Sequence, residues 1–276
     1  MHTDRPNIVL MVADDHGLDG GCFGTSVPAT PHLDALAADG VRFTRGFCTT
    51  ASCAASRSVV LTGLHNHANG TYGHTHGIHH FACFDDVVSL PVRLRNAGYR
   101  TARVGKYHHA PDHVFAFDTV IPNAGRDDVR MSENCRGFIG QEGPFFLYWC
   151  SLNPHRDGRV LASHPCRPNR FGNPDQDFPG DREQLYGDAD IPVPSYLPNT
   201  PEARAEWSQY CQSVSRRGGK HRGAKPGHRT GAGEFVAPGR HQSIELAAAG
   251  GTGTDRGERG GKALERRGPL AGRQKG

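Results

Sequence analysis

The chain has 276 residues, of which 36% are hydrophobic, with 32 Lys+Arg against 28 Asp+Glu. At roughly 150 residues per domain that is one large domain or two small ones around a lean core. No apolar run approaches the roughly 20 residues that cross a bilayer, so no membrane partner is expected.

The N-terminus, Met1–Pro6, is polar, and Ile8–Val12 is too short for a signal-peptide core, so the chain as written is expected in the cytoplasm. Asn7–Ala13 is a continuous apolar run rich in β-branched residues, which suits a strand buried on both faces. It ends in Asp14-Asp15. Thr30-Pro31 supplies an N-cap and a first-turn proline for a helix that carries Leu33, Leu36 and Ala37 on one face and stops at Gly40. Val41–Phe47 reads as a second strand. Ser56–Leu61 is a short helical start closed by Thr62-Gly63. A further helix spans Ser89–Ala97, with Pro91 in its first turn and Gly98 after it. Tyr99–Val104 is a strand running into Gly105-Lys106, and Pro144–Ser151 is a strongly apolar strand running into Asn153-Pro154-His155. Glu202–Ser215 reads as a helix. Strands alternating with helices predict an α/β fold with a largely parallel sheet, in which ligands gather outside the carboxyl ends of the strands. Asp14, Asp15, Lys106, His108 and His155 all fall just past such ends.

The composition changes near Ser215. Residues 1–215 hold 18 basic and 23 acidic residues, whereas residues 216–276 hold 14 basic and 5 acidic, with 16 of the 36 Gly and one aromatic, Phe235. A segment of this kind cannot offset its ordering entropy by burial and reads as a disordered tail. Two origins compete. One is an Arg/Gly segment that binds nucleic acid or another polyanion by charge. The other, which the abruptness of the change favours, is a GC-rich coding frame read out of register. Translation of the other two frames beyond the Ser215 codon separates them. The organisation expected is therefore a body over 1–215 and a Gly/Arg-rich tail over 216–276.

Three groups of residues carry chemistry. Cys53 precedes the first turn of a helix and Arg57 follows one turn on. A helix N-terminus lowers a thiol pKa and attracts anions, and the guanidinium fork matches a tetrahedral oxyanion. A buried structural Cys with a surface Arg is the plain alternative. Asp14 and Asp15 repel each other unless a cation lies between them, and oxygen ligands favour Ca²⁺ or Mg²⁺. A solvated acidic turn is the alternative there. The stretch His65, His67, His74, His76, His79 and His80 suggests a transition-metal site. No partnered Cys and no second cluster stands at ligand spacing, so the favoured reading is a substrate loop shaped by Gly73 and Gly77.

Cys53-Ala54-Ala55-Ser56-Arg57 with Leu61-Thr62-Gly63 resembles the sulfatase signature C-x-[PA]-S-R followed by T-G. RPNIVLMVADDHG, TPHLDALAADGVRF and GKYHHAP are similar to the N-terminal region of the same family. HNHANGTYGHTHGIHHF, FFLYWCSLNPHR and Ser195–Arg204 resemble its heparan N-sulfatase branch. The resemblance covers about residues 5–215. It implies an alkaline-phosphatase-like α/β fold and oxidation of Cys53 to formylglycine by a maturase. The hydrated aldehyde of that residue attacks sulfur with one hydroxyl, and the second loses its proton as sulfate leaves. The resemblance further implies that Asp14 and Asp15, with Cys53 in its converted form, face one Ca²⁺. It makes Arg57, Lys106, His108 and His155 active-site residues, with Lys106 on the sulfate and either His protonating the leaving atom. The implied substrate is an N-sulfated glucosamine of heparan-type sugars. The alternatives are an O-sulfatase of the same superfamily and a non-catalytic chain with a polyanion-binding tail.

The sequence departs from the family twice. Ala55 stands where Pro is commoner, a form that radical-type maturases accept and the oxygen-dependent enzyme disfavours. The Asp-Asn pair that completes the family's Ca²⁺ site on a later strand has no counterpart, since the tail has a single Asp, Asp255, and no Asn. The expectation is a weakly held Ca²⁺, an unpaired sheet edge and an impaired or inactive chain. Family members are often lysosomal, periplasmic or secreted.

Overall fold

The computed structural model describes residues 5–156, 171, 184–189, 191–218 and 242–249. Its sheet contains β1 (Asn7–Asp14), β2 (Arg100–Gly105), β3 (Thr119–Val120), β4 (Phe145–Cys150) and β5 (Gln242–Ala249), in the order β3-β2-β4-β1-β5, and every neighbouring pair is parallel. The α-helices among the described residues are α1 (Pro31–Asp39), α2 (Cys53–Thr62), α3 (Asn66–Asn69), α4 (Leu90–Asn96), α5 (Asp128–Asn134), α6 (Arg136–Ile139) and α7 (Pro201–Gly218). The α/β reading with a parallel sheet is borne out.

The alternation of side chains along β1 and β4 explains the layering. Val9, Met11, Leu147 and Trp149 face one side, where Met131 of α5 and Phe138 of α6 cover them. Leu10, Val12, Phe146 and Tyr148 face the other, against Leu61 of α2, with Leu90 and Leu94 of α4 packed alongside. Every residue of β4 is buried, and each large apolar side chain so placed contributes about 1.5–3 kcal/mol. A third cluster, Ile191 with Trp207 and Cys211, seats α7. Tyr210 of that helix donates to Asp19 at 2.9 Å and accepts from the Gly17 amide at 3.0 Å, which ties the loop after β1 to the body.

Two expectations are corrected. Val41–Phe47 is not a strand; Val41 and Phe43 are each 83% exposed and Phe47 is 90% exposed. β-branched and aromatic residues give a segment strand propensity, but that propensity reflects packing on a half-buried surface, and here these side chains lie in solvent. The open side of β1 is paired, not bare. β5 lies along its full length, from Asn7↔Gln242 to Asp14↔Ala249. Gln242–Ala249 comes from the segment read as tail, and its brief apolar stretch gave no periodicity to announce a strand. Residues 219–241 and 250–276, on which the rest of the tail reading falls, lie outside the described residues. Among the described residues no helix is long and apolar enough to cross a membrane.

The loop after β2 places a histidine in the core. His109 is only 7% exposed, stacks on Phe115 with ring centroids 4.4 Å apart, and lies 3.4 Å from the Tyr148 hydroxyl. Burial, reinforced by the Arg57 charge, holds its pKa well below the ordinary value. The unfolded chain takes up a proton near pH 6.5 that the folded chain refuses. Stability is thus fully present above that pH and is lost as pH falls toward 5, by up to about 1.4 kcal/mol per pH unit for one proton. His108, lowered to about 4 chiefly by burial, acts with the same sign. The urea midpoint is expected to drop between pH 7.5 and 5.5, and His109→Asn is expected to shrink that drop. An unchanged pH slope in the variant would assign the effect to other groups.

Candidate active site

Three strand ends come to one level. Cys150 is in register with Val12 on one side and with Gly105 on the other. Gly105 (φ 82°) must be glycine, because a Cβ there would lie 1.9 Å from the Cys150 carbonyl oxygen. That close approach lets the Lys106 amide donate to the same oxygen at 2.9 Å, which turns Lys106 back over the end of the sheet.

Asp14 is the centre of the site and is completely buried. The Arg57 Nη2 lies 3.3 Å from Asp14 Oδ1, and the Lys106 ammonium donates to Asp14 Oδ2. Asp15, in the left-handed backbone region (φ 60°), turns the other way, with its Oδ2 3.6 Å from His155 Nε2. Burial raises the Asp15 pKa, and the neighbouring Asp14 charge raises it further. Cys53 is the first residue of α2 and is half-buried. Lys106 also acts on its thiol, favouring the thiolate, yet burial first and Asp14 second push the Cys53 pKa up. The lowering expected from the helix N-terminus is outweighed.

Arg57 differs from expectation in direction. Its guanidinium, fully buried, donates to Asp14, to the Lys106 carbonyl at 3.2 Å and to the Tyr148 hydroxyl at 3.4 Å. The fork faces the protein, not an incoming oxyanion. Of the expected metal ligands, Asp14 and Cys53 have ligand atoms within 4.8 Å of each other and of His155; Asp15 is outside that group. His108 stands beside Lys106 and Arg57, whose charges both lower its pKa. The seven residues that the family resemblance singles out, Asp14, Asp15, Cys53, Arg57, Lys106, His108 and His155, therefore meet at the carboxyl ends of β1, β2 and β4.

The structure adds residues that the sequence did not announce. Asp128 of α5 accepts from Ser151 Oγ at 2.8 and 2.9 Å and from Asn153 Nδ2 at 3.2 Å. Arg126 donates to the His155 carbonyl at 2.7 Å and to Asn153 Oδ1 at 3.2 Å, so this bracket fixes the loop that carries His155. Asn66 donates to the carbonyls of Ala55 and Thr71 at 2.9 and 2.7 Å and thereby joins the start of α2 to the histidine loop. The only sequence signal for these residues was polar side chains close to apolar runs, which is common on any surface.

The sulfatase family model matches residues 6–220. Human N-sulphoglucosamine sulphohydrolase is 39% identical over 225 residues, covering 77% of this chain and 45% of that protein. The ulvan-active sulfatase of Formosa agariphila is 32% identical over 159 residues, covering 55% of this chain and 31% of the relative. The chain thus spans less than half the length of these curated relatives. The crystal structure of the phosphonate monoester hydrolase of Agrobacterium radiobacter superposes with a TM-score of 0.57 at 17% identity, covering 77% of this chain and 57% of that one, a likeness of fold. The family match runs through the strand ends that gather Asp14, Cys53 and Lys106, and on that ground this chain belongs to the sulfatase family, on its alkaline-phosphatase-like α/β fold.

Proposed function

We propose that the protein descends from, and is built as, a sulfatase that releases sulfate from N-sulfated glucosamine, with Cys53 as the residue converted to formylglycine. The observation that carries this reading is Lys106, whose ammonium spans the Asp14 carboxylate and the Cys53 side chain at the end of the sheet. The 39% identity to a human enzyme named for N-sulphoglucosamine supports the choice of substrate.

The residues present fit the modified side chain. Cys53 is half-buried at a helix start, and its thiol is held protonated, which suits a residue whose own sulfur is not the nucleophile. The converted residue supplies a hydrated aldehyde, with one hydroxyl for attack on sulfur and another for release of sulfate. Lys106 neutralises charge that develops on the sulfate oxygens. His155, held by the Arg126–Asn153 bracket, delivers a proton to the departing nitrogen. His108 is a neutral imidazole at working pH and accepts a hydrogen bond or a proton. Arg57 is a positioning residue, since it touches Asp14 and the Lys106 carbonyl.

Members of the family typically use Ca²⁺. Asp14 and Asp15 match a hard dication in kind, but Ca²⁺ takes six to eight oxygens. Both Asp14 oxygens are turned to Arg57 and Lys106, and β5 reaches the level of Asp14 at Ala249, which has no ligand side chain. The described residues fit half of such a site.

Coexpression with a radical-type maturase is expected to convert Cys53, seen by mass spectrometry of its peptide as the loss from thiol to aldehyde. The oxygen-dependent maturase is expected to convert it less, because Ala55 replaces Pro. A Cys53 that stays a thiol beside both maturases removes the catalytic reading.

A further inference from the structure

We propose that His74, His76 and His108 form a binding site for a borderline divalent transition metal such as Zn²⁺, Ni²⁺ or Co²⁺, which takes His108 away from the sulfate site when it binds. The second half of this statement rests on the proposed function; the first does not.

The three imidazoles come from two separate elements. His74 and His76 lie on the loop after α3, and His108 lies just past β2, where a left-handed backbone (φ 59°) carries it toward them. Ring centroids are 5.2 Å apart for His74–His76, 5.4 Å for His74–His108 and 4.8 Å for His76–His108. One nitrogen from each lies within 4.8 Å of the other two. In the sequence the histidine loop had no partner at ligand spacing; the fold supplies one from more than thirty positions away.

The nitrogens are also unused. Both ring nitrogens of His108 and the Nδ1 of His74 are buried without a hydrogen-bond partner among the described residues. A buried polar atom left in that state is costly and is rare in folded proteins. A metal ion satisfies it, with His76 exposed as the point of entry. Imidazole nitrogen selects Zn²⁺, Ni²⁺, Co²⁺ or Cu²⁺ over Ca²⁺ and Mg²⁺. Three histidines with an open fourth position are a known form of zinc site.

Closure asks for a modest movement. At a tetrahedral zinc with Zn–N of about 2.0–2.1 Å, ligand nitrogens lie about 3.3 Å apart, so the trio must tighten by about 1.5 Å. The rings are now parallel to within 16°, whereas a metal lies in the plane of each ligating ring, so at least one imidazole must turn about its Cβ–Cγ bond. Gly77 (φ 73°), next to His76, lets the exposed arm of the loop adjust.

The test uses the whole chain, free of any histidine tag, with Cys53→Ala as background. That substitution removes the competing group of Cys53, Asp14 and His155. Calorimetry with Zn²⁺ at pH 7.5 in excess Ca²⁺ is expected to show one tight site per chain. His76→Gln, at an exposed position, is expected to weaken it at least tenfold, because losing even an outer partner of a metal ligand costs about that much. His65→Gln with His67→Gln is expected to leave it unchanged. With Co²⁺ in the unsubstituted chain, visible d–d bands are expected with no thiolate charge-transfer band in the near ultraviolet. Undiminished binding in the His74→Gln/His76→Gln chain, binding lost with Cys53→Ala, or no stoichiometric binding at all would each overturn the site. None of these readouts needs turnover, so they stand whether or not the chain hydrolyses a sulfamate.

Discussion

Expressed with a maturase and supplied with excess Ca²⁺, the 276-residue chain is expected to hydrolyse N-sulfated glucosamine and aryl sulfates at least a thousandfold more slowly than an ordinary enzyme rate of ~10 s⁻¹. The reason lies in the neighbourhood of Asp14. Electrostatic stabilisation is usually the largest catalytic contribution, and removing one donor from a preorganised site already costs about 10²–10³ in rate. Here the strand beside β1 arrives at Asp14 with Ala249, so β5 places no carboxylate or amide opposite it. Arg57 and Lys106 instead hold both Asp14 oxygens. Lys106 is then committed to Asp14 when it is needed on sulfate. The measurement is sulfate release from both substrates, with Cys53→Ala as the blank. Turnover within about tenfold of ~10 s⁻¹, abolished by Cys53→Ala, would show that Asp14 and Asp15 hold enough charge by themselves.

Elements built on dense local signals were legible in the sequence. β4 and the interior of β1 are unbroken apolar runs, and α1, α2 and α4 carry a first-turn proline or a closing glycine within a residue or two of their observed ends. Because parallel strands bring their carboxyl ends to one level, the positions of Asp14, Lys106 and His155 just past strand ends put them at one edge of the sheet. What the sequence left open depends on partners distant along the chain. Val41–Phe47 has strand-like residues, but no packing surface meets its large side chains, which stay exposed. Arg57 points inward because Asp14, 43 positions earlier, is buried beneath it. The Cys53 thiol is governed by burial and by Asp14, against the helix terminus on which it sits. His108 meets the histidine loop only because β2 ends beside it. In each case the orientation is settled by surroundings that spacing along the chain cannot supply.

The same burial that blunts the site makes it a large determinant of stability. Asp14 and Arg57 are both wholly inaccessible, and Asp14 is flanked by two cations. Asp14→Asn keeps the shape of the side chain and removes its charge, which leaves the Arg57 guanidinium buried without a counter-ion. Breaking a buried pair in this way costs about 3–5 kcal/mol, a large share of the roughly 5–15 kcal/mol that holds a domain folded. Arg57→Met is expected to cost less, because Lys106 still faces Asp14 and the unbranched thioether fills much of the vacated space. Combining the two removes the stranded charge, so the double variant is expected to be more stable than Asp14→Asn alone. Urea denaturation at pH 7.5 of the two single variants and the double variant gives the coupling directly. A loss below about 0.5 kcal/mol for Asp14→Asn, or a double variant equal to the sum of the singles, would mean that Asp14 and Arg57 do not depend on each other. Arg57 would then be free to serve substrate, not the fold.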